Sequence, residues 1–76
     1  MYYIYKEGRL IGSSSSIDYV VEFTKLMVDK EISTEKDSSR LKQLYEDKLM
    51  VNSPKVGLNK LQHILERLGY SLEVAI

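Results

Sequence analysis

At 76 residues and a formal net charge of zero, the chain has room for one domain with one core, and such a domain buries only about 60% of its unfolded surface. The charge balance disfavours a strongly basic binder of many phosphates, and the lack of cysteine excludes disulfide staples and thiolate metal sites and suits a reducing cytosol. No run approaches the roughly 20 apolar residues of a membrane span and residues 1–5 are too short for a secretory core, so the expectation is a soluble, cytoplasmic, single-domain protein.

Tyr2, Tyr3, Ile4 and Tyr5 fit a pleated surface, Leu10 and Ile11 form a second short apolar run, and Lys6, Glu7 and Gly8 between them carry turn chemistry. A hairpin over about 2–12 follows, with two registers open: a two-residue Glu7–Gly8 turn, or a type I turn closed by a left-handed glycine and a bulge. Gly12 and four serines end the strand. Ser15 with Asp18 has the form of a capping box, and Val20, Val21, Thr24, Met27 and Val28 recur at helical spacing, predicting a first helix over about 16–30. Tyr19, Phe23 and Leu26 widen its apolar stripe, so a central position is expected for it.

A second helix over about 35–49 is predicted from Leu41, Leu44, Tyr45 and Leu49, with Thr34 and Asp37 as candidate caps and residues 52–54 as its end. Taking those residues as the buried side places Ser39, Gln43, Glu46 and Asp47 outside, with Arg40 on a flank, and makes Tyr19 and Tyr45 core residues. The third helix, about 57–68, has the clearest stripe in Leu58, Leu61, Ile64, Leu65 and Leu68. Either Ser53 or Gly57 serves as its cap. Gly69 stops it, and Tyr70, Leu72, Val74 and Ile76 then alternate with Ser71, Glu73 and Ala75 as a strand over about 70–75. The fold class is therefore α+β: an N-terminal β-hairpin, three helices and a C-terminal β-strand that joins the hairpin or pairs across a dimer axis.

No catalytic, cofactor or metal signature is present. There is no phosphate-binding glycine loop and no histidine pair, and the lone His63 falls opposite the leucine stripe, where a solvated surface histidine is expected. The serines at the first helix start suit an anion, although a flexible link with a cap explains them more simply. Residues 1–38 hold five basic and seven acidic side chains and residues 39–76 hold six and four, so the second half leans basic.

That half also carries a resemblance. Leu58, Leu61, Ile64, Leu65, Leu68 and Gly69, followed by Tyr70, Leu72 and Val74, are similar to the end of lambda-repressor-like (Cro/C1, XRE) helix-turn-helix regulators of the antitoxin type. Ser38, Ser39, Arg40, Leu41, Lys42, Gln43 and Leu44 resemble the recognition helix of that family. The resemblance covers about half the chain and implies a cytoplasmic, homodimeric, non-enzymatic DNA-binding transcription regulator. Ser39, Arg40, Lys42, Gln43, Lys55 and Lys60 are its candidate DNA contacts, and the C-terminal strand builds its dimer. Residues 30–37 depart from the family, supplying one apolar residue, Ile32, and no turn glycine.

A reading from a different class is a protein-binding module, such as a phage- or mobile-element-encoded inhibitor of a host or defence nucleoprotein. Neutral charge, two carboxylates on the expected DNA face and six tyrosines favour it, since tyrosine joins a large apolar body to a polar tip. Its candidate interface residues are Tyr3, Tyr5, Tyr70, Leu72 and Val74.

Overall fold

The computed structural model describes residues 1–75, so the expected place of Ile76 in the last strand lies outside it. The order of elements is β1 (Tyr2–Lys6), β2 (Arg9–Ser14), α1 (Ile17–Thr34), α2 (Ser38–Val51), α3 (Leu58–Arg67) and β3 (Tyr70–Val74), which is the α+β architecture expected. The three strands form one antiparallel sheet in the order β2-β1-β3. β3 therefore pairs with β1 within the chain, and Met1 and Ala75 extend that ladder by exchanging two 2.9 Å hydrogen bonds. No helix among the described residues is long and apolar enough to cross a membrane.

Glu7 and Gly8 both take left-handed φ angles, 52° and 78°, the signature of a two-residue type I′ turn. This turn pairs Lys6 with Arg9 and Tyr5 with Leu10, so the alternative glycine-closed type I turn does not form. The irregularity sits further along: the register shifts between Ile4 and Tyr5, where Ile11 of β2 has no partner. That extra residue is a bulge.

Helix starts differ from the sequence reading by one to three residues, each for a local reason. Ser16, not Ser15, caps α1, its Oγ accepting from the Asp18 amide at 3.2 Å while Ser14 Oγ accepts from the Ser16 amide. α1 also runs a turn further than predicted, because Ile32 reaches the cluster of Val28, Val51 and Ile64. Residues 35–37 stay outside α2 because Glu35 Oε1 accepts from the Lys36 and Asp37 amides, and Asp37 then caps α2 through the amides of Ser39 and Arg40. One otherwise orphaned amide at the start of α1 and two at the start of α2 are thereby satisfied. At α3 the cap is Gly57, and Gly69, with φ 91°, closes its end.

One core joins the sheet to the helices: Ile4 and Leu72 meet Val20, Leu61 and Leu65, each burial worth roughly 1.5–3 kcal/mol. A second, smaller cluster, Val28, Val51 and Ile64, lies between the three helices. Thr24 is also fully buried on the α1 stripe, and its hydroxyl donates to the Val20 carbonyl at 2.7 Å, which removes the cost of an unpaired polar group.

The roll of α2 corrects the sequence reading. Its inward residues are Leu44, Asp47 and Val51, Leu41 is half-buried, and Leu49 and Tyr45 are 77% and 53% exposed. Relative to the expected face the helix is turned by roughly 100°, the step of one residue. Asp47, expected in water, is only 4% exposed. Tyr19 is not core either; it remains more than a third exposed, with its ring laid across Gly12.

Candidate functional site

Two surfaces collect the residues singled out in the sequence. The first is the outer face of the sheet. Because strand side chains alternate, Tyr3 and Tyr5 point away from the face of Ile4. Their cross-strand neighbours are Ser13 and Leu10 on β2 and Glu73 and Ser71 on β3. Helices α1 and α3 pack on the Ile4 and Leu72 side, so this opposite face has no covering layer among the described residues. Its side chains include tyrosine, leucine, serine and the Glu73 carboxylate, and no lysine or arginine.

The other candidate interface residues do not join Tyr3 and Tyr5. Leu72 is 8% exposed and belongs to the core. Tyr70 lies on the helix side, edge-on to Phe23 with ring centroids 5.3 Å apart, its hydroxyl 3.1 Å from Met27 Sδ and Lys6 Nζ 5.1 Å from its ring centre. Val74 stays partly exposed at the strand end, on the same side as Leu72. Their placement follows from the register of β3 on β1, since Tyr70 faces Lys6 and Leu72 faces Ile4 across that ladder.

The second surface is the cleft between α2 and α3. α2 packs chiefly on α1 and more sparingly on α3, and the gap is spanned by an ion pair. Arg67 Nη2 donates to Asp47 Oδ1, and Gln43 Nε2 donates to the same oxygen at 3.1 Å. Sequence reasoning missed this pair. The only available signal was an aspartate at a position one step off the leucine stripe, with its partner 20 residues away.

Of the candidate DNA contacts, the structure brings Arg40, Gln43 and Lys60 to this cleft and leaves the rest apart. Arg40 and Gln43 line one end and Gln43 and Lys60 the other. Ser39 is exposed in the first turn of α2, with its amide on Asp37. Lys42 is exposed further along the same helix, and Lys55 lies in the turn before α3. Two of the six are already engaged: Arg40 Nε sits 3.1 Å from Glu35 Oε2, and Gln43 holds Asp47. His63 is exposed, as expected, and lines the cleft beside Lys60.

Family models, curated proteins and solved structures contain no match to this chain. Among the described residues, no group of three or more histidine, aspartate or glutamate side chains is arranged to hold a metal ion.

Proposed function

We propose that this chain is a non-enzymatic protein-binding module that docks through the outer face of its sheet, with Tyr3 and Tyr5 as anchors. The observation that carries the reading is that uncovered face. A sheet in a two-layer domain has one face packed and one solvated, and the solvated face is ordinarily polar. Here it presents two tyrosines and Leu10, which is 54% exposed, beside a single carboxylate. Aromatic side chains with a polar tip concentrate in the energetic centres of protein interfaces, and a face without basic side chains is poorly suited to a phosphate backbone.

The partner is a protein surface offering apolar area to the tyrosines and a basic side chain to Glu73. Binding to DNA through α2, the repressor-like alternative, has weaker support: the charge of Arg40 is balanced by Glu35 and Gln43 holds the Asp47 carboxylate, and Lys42, Lys55 and Lys60 are spread over α2, the turn before α3 and α3.

Purifying the full chain from its own cells and identifying what accompanies it separates the two. The double variant Tyr3→Ser, Tyr5→Ser should lose a protein partner while keeping the circular dichroism of the native fold, and Arg40→Ala with Gln43→Ala should retain it. Co-purification of nucleic acid that dissociates steeply with salt, and that depends on Arg40 and Gln43 instead of the tyrosines, would overturn the reading.

A further inference from the structure

We propose that the α2–α3 cleft is a binding site for a small organic carboxylate on a compact apolar or aromatic body. This goes beyond the docking face, which lies on the far side of the molecule, and is independent of it.

Four observations converge on the site. The Arg67–Asp47 pair divides the cleft, leaving a cavity on each side: one of about 250 Å³ bordered by Glu46, Met50, Lys60 and His63, and one of about 240 Å³ bordered by Arg40, Leu44 and Leu68. Both are open to solvent and fall below the range of about 300–1,000 Å³ typical of drug-sized ligands, which suits a small occupant. The second cavity has an apolar lining in Leu44 and Leu68 and an arginine from each helix, Arg40 of α2 and Arg67 of α3. Each guanidinium is held by a carboxylate of its own, Arg40 by Glu35 and Arg67 by Asp47.

Those ion pairs orient the arginines without using them up. An arginine carries several N–H donors in a planar fork, and each pair described here engages only part of it. The remaining donors suit a carboxylate, and the guanidinium planes suit the face of an aromatic ring. Asp47 and Glu35 balance the two arginines in charge, so the preference for an anion rests on the N–H donors that these pairs leave free. Asp47 Oδ1 is itself occupied by hydrogen bonds from both Arg67 and Gln43. An anion with an apolar body satisfies the lining on both counts.

The test uses benzoate as probe and benzamide as its uncharged counterpart, followed by the nitrogen–proton NMR signals of the intact chain. Benzoate should give saturable shifts confined to the Gln43 side-chain amide, the Arg40 and Arg67 Nε–H groups and the neighbouring backbone, with affinity at least about tenfold above benzamide. Arg40→Gln, at an exposed side chain, should weaken benzoate binding by about tenfold while leaving the urea midpoint within error. Lys55→Gln should leave binding unchanged. The proposal fails if no saturable shift appears, if benzamide matches benzoate, or if the response centres on Lys42 and Lys55 and disappears with added salt. It fails also if an acetylated peptide with a free apolar C-terminus binds more than tenfold tighter than benzoate, because the source of the carboxylate is then a polypeptide end.

Discussion

The sheet-side core and the outer helix α2 are held by different physics. Around Ile4 five apolar side chains from four elements close on one another, four of them wholly out of water and Leu72 nearly so. α2 offers only Leu44 and Val51 as fully inward apolar residues and uses Asp47 where a third would stand, while Leu49 and Tyr45 project into solvent. The contrast shows that a helix can be seated by a polar clamp where its apolar residues are too widely spread to seat it. It also explains why the cleft lies beside α2, for light packing on α3 leaves the space that the arginines border.

The sharpest way to break that comparison is to hollow the sheet-side core. Leu65→Ala removes a fully buried side chain and should cost about 2–5 kcal/mol, a large part of the stability of so small a domain. Urea unfolding of the variant should show a midpoint far below the native one, with all probes moving together. Asp47→Ala should behave differently. It releases Arg67 and Gln43, and because the arginine is almost half exposed the loss is discounted to about 1–2 kcal/mol. Amide hydrogen exchange should accelerate along α2 before it does so in β1 or β3, and equal acceleration everywhere would show that the two regions form one cooperative unit.

Gly12→Ala probes the seam between the hairpin and α1. A methyl group there would overlap the Tyr19 hydroxyl oxygen and stand 3.1 Å from Cζ. Since that ring is partly exposed it can swing outward, so the expected cost is about 1–2 kcal/mol. Adding Tyr19→Ala should recover part of the overlap term in a double-mutant cycle, and additive losses would place the strain elsewhere. Leu49→Lys should have the smallest effect, within about 0.5 kcal/mol by thermal melting. A large loss would mean that α2 is rolled as its leucine pattern alone implies.

Much of the fold was legible because local chemistry and global packing agree. In α3 the residues at helical spacing, Leu61, Ile64 and Leu65, are the ones that are buried, with Leu58 and Leu68 at the margins. The glycine that ends the stripe takes the left-handed backbone such an ending requires. Within β3, Leu72 falls on the covered face and Ser71 and Glu73 do not. For the candidate site the agreement was narrower. Alternation showed that Tyr2, Tyr3 and Tyr5 cannot all face inward but not which of them face out, whereas Tyr70 and Leu72 were assigned to a contact surface that the β1–β3 register denies them. Gln43 and Arg40 were noticed for their chemistry, but not as parts of a cleft.

By itself the amino-acid order determined the α+β class, the six elements, the Gly69 stop and the presence of a turn between the first two strands, though not which of two turn types it takes, since each depends on side chains close along the chain. Only the tertiary structure decided that β3 closes the sheet within the chain, how α2 rolls, and that Arg67 meets Asp47. Those outcomes are set by which distant side chains compete for the same interior. A carboxylate moves inward when a guanidinium from another helix is there to receive it, and no spacing along α2 contains that information.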